Sequence, residues 1–342
     1  MTTLLVGFDS AWTRTKIGAI VGAVSHDDGR ITELGPPHPA QFEDAAGTIR
    51  GWQTAHSAPS TLVLLDQPTI VVNEVGQRPV EHVVCPCVSR RRGGMQPANR
   101  GRTDMFGPAA PVWEFLAGFG GAADPFDHTQ STRVLETYPV LAIIALGWTL
   151  ADKERSAGRL PKYNPARRKT FAISDWAHVC RTTSARLAAE GARESAAWAE
   201  TAATKTTPTK SDQDQLDACI CLVSALHLAK GRDALFVGCC ATGYIVVPDS
   251  EMLRNELERR CLELGRESAS WVRVFRLLAA AAAARDTSLP LARCRFRPQV
   301  GDPTPRWRAI LKRPVRPTLA PVGADLWGLS NRPSVPVSDR ER

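Results

Sequence analysis

Apolar positions along this chain fall into short runs that end on a carboxylate, with helically spaced stretches between them. The first run, Leu4-Leu5-Val6-Gly7-Phe8, lies between Thr2-Thr3 and Asp9-Ser10 and predicts a buried strand over residues 3–8. Asp is a poor strand residue, so Asp9 is expected where the strand leaves the sheet. Lys16 to Val24 reads as a second strand, Asp27-Asp28-Gly29 as a turn and Arg30 to Leu34 as a third strand, together an antiparallel meander. Phe42, Ala45, Ile49, Trp52 and His56 recur at three-to-four spacing, the mark of an amphipathic helix. The run Thr61 to Leu65 then ends in Asp66, with Pro68 closing it, and Thr132 to Leu135 ends in Glu136.

Residues 67–131 break the pattern with scattered Pro and Gly, and there Val112 to Phe119 predicts a short helix. A helix is expected after Pro139 through Trp148 and another over residues 167–190. The Ala/Thr-rich stretch from Ala196 to Lys210 reads as a connection. Ser211 opens a helix that is almost wholly apolar through Ala229, with Gly231 as its stop, and such a helix is buried. Asp214 and Asp217, three residues apart on it, share a face. Thr242 to Pro248 is a late strand, and Asp249 caps a charged helix to about Gly265. The expected organisation is a domain over 1–265 with an inserted loop region at 67–131, an Ala-rich helix over 266–285, and a tail over 286–342.

Composition changes this picture little. The 342 residues are 43% hydrophobic and 23% charged, which is globular. No charged-then-apolar leader follows Met1, and the longest low-polarity run, Leu277 to Ala284, is too short to span a bilayer, so a cytoplasmic protein without a membrane partner is expected. The nine cysteines are odd in number and include no C-x-x-C pair, which supports neither a disulfide framework nor a zinc site. The net charge of +8 suggests nucleic acid, but residues 286–342 hold 11 Arg and Lys against 5 Asp and Glu. Most of the basicity therefore belongs to the tail.

The chemistry is in the acids. A parallel sheet would bring the strand-end carboxylates Asp9, Asp66 and Glu136 to one edge, beside the start of the helix that carries Asp214 and Asp217. Carboxylates gathered there repel one another unless protonated or bridged by cations. Hard ions such as Mg²⁺ or Mn²⁺ suit an all-oxygen donor set, and two such ions together form the arrangement that cleaves phosphodiesters. Blander roles are open to most of these acids. Asp66 could open a turn, Glu136 could be a solvated strand end, and Ser211-x-x-Asp214 fits a capping box. Asp217 is the hardest to dismiss, because it sits among Leu216, Ala218 and Ile220, where an unpaired carboxylate is costly.

Taken together, Gly7-Phe8-Asp9-Ser10-Ala11-Trp12, Leu65-Asp66-Gln67-Pro68, Glu136-Thr137-Tyr138-Pro139 and Asp214-Gln215-Leu216-Asp217-Ala218 resemble an uncharacterised family of predicted nucleases with a ribonuclease-H-like fold. Lys162-Tyr163-Asn164-Pro165 and Gly243 to Pro248 are similar to it as well, and the likeness covers about residues 3–265. The Asp-x-x-Asp-Ala helix start is also similar to bacterial Holliday-junction resolvases. The resemblance implies an α/β fold with a mixed five-stranded sheet flanked by helices, with Asp9, Asp66, Asp214 and Asp217 as metal ligands and Glu136 as an auxiliary acid. It implies hydrolysis of nucleic acid. One departure is that the first helix offers only Glu43 or Asp44, at its start, where the minimal fold often supplies an acid.

Basic clusters fit the same reading. Arg90, Arg91 and Arg92, placed over the site by the long loop, and Lys210, just before the acidic helix, are expected to hold phosphates. Arg167-Arg168-Lys169 is a further basic start. No Ser-His-Asp arrangement and no phosphate-binding Gly loop stands out. Two rival readings remain: a non-catalytic module binding nucleic acid or a protein, which would work in chelator, and an actin-like-fold phosphotransferase, which would need ATP.

Overall fold

The computed structural model describes residues 2–277 apart from His128. Its order is β1 (Thr3–Asp9), β2 (Gly18–Ser25), β3 (Ile31–Glu33), β4 (His38–Ala40), α1 (Phe42–Ala55), β5 (Ser60–Leu65), α2 (Pro79–Arg90), α3 (Thr103–Phe106), α4 (Pro111–Ala117), β6 (Thr132–Glu136), α5 (Pro139–Ala145), α6 (Ile173–Glu190), α7 (Arg193–Ala203), α8 (Lys210–Ala229), β7 (Ala234–Cys239), β8 (Gly243–Pro248), α9 (Glu251–Glu263), α10 (Ser268–Trp271) and β9 (Val272–Phe275). Among the described residues no helix is long and apolar enough to cross a membrane.

The main sheet runs β3-β2-β1-β5-β6, and β4 pairs with β2 as a sixth strand. β1 is antiparallel to β2 and parallel to β5, and β5 is parallel to β6. This is the expected mixed α/β, ribonuclease-H-like arrangement, widened by one short strand. β1 is apolar without alternation because both its faces are covered. Leu5 packs into the core shared with α8, while Leu4, Val6 and Phe8 pack into the core with Phe42, Ile49 and Phe115 of α1 and α4.

Register sets where the acids fall. Phe8 is level with Leu65, so the next residues, Asp9 and Asp66, leave neighbouring strands at the same height. Leu65 is level with Glu136, so Glu136 is one residue out of step with Asp66. In a pleated sheet that single step turns a side chain to the other face.

α8 lies against β1 and β2. A Cβ on Gly7 would stand 2.1 Å from the carbonyl oxygen of Ala218 and 2.5 Å from the amide nitrogen of Leu222. Only glycine permits so close a crossing, and the crossing carries Asp217 over the end of β1. α8 is buried through most of its length, as its apolar sequence requires.

Several elements depart from expectation. The stretch 67–131 holds α2, where Pro79 occupies the first helical position and costs no hydrogen bond. Pro86 lies inside α2 and cannot donate to His82, and the Arg260 side chain of α9 donates to that carbonyl instead (3.3 Å). The connection expected over 196–210 is mostly α7, whose buried face is Ala196, Ala199, Ala202 and Ala203. β7, β8 and β9 form a second, antiparallel sheet. Of the Ala-rich helix expected over 266–285, Ser268–Trp271 is helical and Val272–Phe275 is a strand. Its remainder from residue 278 and the tail over 286–342 lie outside the described residues.

Candidate metal centre and its cavity

Asp9 is the last residue of β1, Asp66 follows the last residue of β5, and Asp217 lies in the second turn of α8. One carboxylate oxygen from each falls within 4.8 Å of the others. Asp9 and Asp217 are buried and Asp66 is half-buried. Three acids far apart in sequence thus meet at one point, at the ends of two parallel strands and the start of a buried helix.

The chain beyond Asp9 is folded tightly to make this point. Ala11 and Trp12 both have left-handed backbones, at φ 52° and 69°, which non-glycine residues adopt at a cost. The amide of Ala11 donates to Asp9 Oδ1 (3.2 Å), and Trp12 Nε1 donates to the carbonyl oxygen of Asp66 (2.8 Å). The indole therefore ties the end of β1 to the end of β5. Ser10 Oγ donates to Gln67 Oε1, a second tie between the same two strand ends.

Asp217 is held by two donors. The Tyr163 hydroxyl donates to its Oδ1 (2.8 Å), and Gln213 Nε2, one turn back on α8, donates to its Oδ2. The buried side-chain oxygen of Gln213, Oε1, finds no partner among the described residues. The cap of α8 is Thr209, whose hydroxyl accepts from the Asp212 amide while Asp212 accepts from the Thr209 amide (2.8 Å). The expected Ser211–Asp214 box is not formed, which frees Asp214 from a capping role. Asp214 is buried beside the three acids and is paired with Lys210.

Electrostatics follow from this crowding. Burial, then the charges of Asp66, Asp214 and Asp217, push the Asp9 carboxyl well above the usual carboxylate range. Burial and then Asp217 do the same to Asp66. Asp217 is pushed up to about 6 by burial, against the pull of Lys210 and Tyr163. Burial disfavours the Lys210 ammonium, but Asp9, Asp214 and Asp217 outweigh it and hold its pKa above the ordinary lysine value. The donor set fits a hard cation: all its atoms are carboxylate oxygens, and their mutual repulsion is what such an ion would relieve.

The other expected site residues lie elsewhere. Glu136 is on the wall of the same cavity, but both its oxygens accept from Arg78 (2.9 and 2.6 Å), and one also accepts from the Thr69 amide (3.0 Å). Burial still raises its pKa, Arg78 opposing. Arg78 also binds Glu81 (2.9 Å) and the carbonyl of Ile70 (3.0 Å), and a Cβ on Gly243 would stand 2.8 Å from its Nη1. The one-residue register step explains why Glu136 joins this buried network and not the acid triad. Glu43 pairs with Arg14, and Asp44 accepts from the Gln41 amide at the start of α1, so neither enters the centre.

The arginines divide. Arg90 and Arg91 both pair with Glu256 of α9, and Arg91 is buried. Arg92 alone of the three lines the cavity, and its guanidinium binds Asp152 (2.8 Å) and Glu154 (2.6 Å). Lys210 is among the acids as their counter-charge. Arg78 and Glu81 were not singled out in the sequence. The signal for them was Pro79 followed by Glu81, a helix start with an acid in its first turn.

The cavity beside the triad holds about 640 Å³. Asp66, Asp217 and Trp12 line it, together with residues 92–96, 137–140 and 160–164, Arg167 and Thr170. No curated protein and no solved structure matches the chain. A family model described as "Protein of unknown function (DUF429)" matches residues 7–239, which is most of the chain, and the protein belongs to that family.

Proposed function

We propose that this protein is a metal-dependent hydrolase of phosphodiester bonds in nucleic acid, working with two Mg²⁺ or Mn²⁺ ions. The observation that carries the reading is the convergence of Asp9, Asp66 and Asp217 within 4.8 Å at the edge of a cavity. Bound ions would supply a nucleophilic water at neutral pH and would neutralise charge on the phosphate. Asp9, Asp66 and Asp217 are suited to hold the first ion. Asp214, buried and paired with Lys210, would help to hold a second. Tyr163 and Gln213 fix the Asp217 carboxylate, so its lone pairs keep one direction. Glu136 supports the wall of the site through Arg78 and takes no part as a base.

The test combines binding and cleavage. Calorimetry with Mn²⁺ on wild type, Asp9→Asn and Asp217→Asn should give binding that both variants lose by about tenfold or more. Labelled single strand, duplex, hybrid and four-way junction should then be incubated with each protein and Mg²⁺ or Mn²⁺. Wild type should cut at least one and the variants none. Equal Mn²⁺ binding by all three proteins rules out the centre. Normal metal binding with no cleavage of any substrate favours a binding module.

A further inference from the structure

We propose that the cavity takes a single strand of nucleic acid, with an unpaired base against Trp12 and the adjoining phosphate against the cations that Asp9, Asp66 and Asp217 would hold. The proposal rests on the hydrolase reading above and names the substrate form that reading leaves open. Its first support is size. A cavity of about 640 Å³ falls in the range of small-ligand pockets, roughly 300–1,000 Å³. A duplex shows its surroundings a backbone and two grooves and keeps its base faces stacked inside. Reaching buried acids such as Asp9 and Asp217 calls for a nucleotide drawn out of the stack or never paired.

The second support is the aromatic lining. Trp12 is half-buried on the wall and fixed in place, with Nε1 on the Asp66 carbonyl (2.8 Å) and its ring edge-on to Phe106 at 5.7 Å. Its position relative to the Asp66 carboxylate is therefore set by the backbone itself. Tyr138, half-buried with its hydroxyl on the carbonyl of Gly94 (2.9 Å), lines the same space. Aromatic faces beside a charged track bind unpaired bases without regard to sequence.

The third support is polar. Lys162 and Arg167 line the cavity, Arg167 exposed at its margin, where they can meet phosphates next to the one being cut. Gln213 Oε1 and Thr137 Oγ1 are buried, line the cavity and find no partner among the described residues. Unmet polar atoms in a cavity wall call for groups on a ligand, and base edges and ribose hydroxyls supply them.

The experiment is fluorescence anisotropy on the full chain in Ca²⁺, which takes the same oxygen ligands. The probes are labelled oligo-dT, labelled oligo-U and a blunt duplex of mixed sequence. Either single strand should bind about tenfold or more tightly than the duplex. Trp12→Ala should weaken single-strand binding by about tenfold and leave duplex binding unchanged. Trp12→Phe, which keeps a ring, should retain most of the affinity and shows that the loss is of stacking and not of folding. Duplex bound as tightly as single strand, or Trp12→Ala equal to wild type on single strand, overturns the proposal. In Mg²⁺ or Mn²⁺, wild type that cuts duplex but not single strand keeps the hydrolase reading and overturns this one. Single-strand binding through Trp12 with no cleavage does the reverse.

Discussion

Lys210 stands at the residue scale as the chain's own answer to its crowded acids. Its ammonium is paired with Asp214, and its charge is felt by Asp9 and Asp217 as well. Removing it leaves four buried or half-buried carboxylates to repel one another. Lys210→Met should therefore lower the melting temperature of metal-free protein, and added Mn²⁺ should stabilise the variant more than wild type; thermal melts with and without chelator read both. Protonation is the other relief. The Asp217 carboxyl is pushed up to about 6 from an ordinary 3.8, so between those values the folded state holds more protons than the unfolded one. The stability this gives is fully present below the unfolded value and is lost as pH rises through about 6. Asp9 and Asp66 shift in the same direction. Melts of chelated protein across this range should show Asp217→Asn gaining on wild type as pH rises, and Mn²⁺ affinity in wild type should rise over the same window. Asp9, Asp66 and Asp217 were legible beforehand because each ends or interrupts an apolar run. The partners that tune them were not. Tyr163 reaches Asp217 from a distant segment, as Arg78 reaches Glu136, and no spacing in one dimension records either; Gln213 stands four residues before Asp217 on α8, a spacing that does not by itself mark a partner.

At the scale of elements, the approach of α8 to β1 is what assembles the centre. Gly7 has no room for a methyl group, and the obstacle is α8 backbone, which cannot rotate aside. Gly7→Ala should cost about 3 kcal/mol of stability, measured by urea unfolding, and should weaken Mn²⁺ binding although none of the clustered acids is changed. A stability within experimental error of wild type would mean that the helix can shift. The strands that carry acids were readable because their apolar runs stop sharply, on a carboxylate followed by turn residues. α2 was hidden by its prolines: Pro79 and Pro86 look like breaks, yet one starts the helix and the other is compensated by Arg260. α7 was hidden by alanine, which buries a face without the large apolar residues that mark periodicity. β7 and β9 make sense only as partners, since a short apolar run such as Ala234 to Val237 is equally at home at a helix end.

At the scale of the whole molecule, the C-terminal boundary lies further along than residue 265. β9 pairs with β7, and Phe275 and Leu277 are buried in the same core as Phe236, with the Phe275 ring 5.4 Å from that of Phe126. A chain ended after residue 265 should lose on the order of 5 kcal/mol, because two large side chains and an edge strand leave together. A chain ended after residue 285 keeps all of the described structure and should unfold cooperatively with nearly full stability. Equal urea midpoints for the two truncations would show that β9 contributes nothing. The order of the three clustered acids along the chain also bears on synthesis. Asp9 and Asp66 leave the ribosome early, on strands whose α8-facing side stays uncovered until residues 210–229 have emerged. A nascent chain can thus pair β1 with β5 and still lack the third carboxylate. Chaperones would meet it as an exposed apolar sheet, and whatever reactivity the cluster confers would be silent until translation has passed α8.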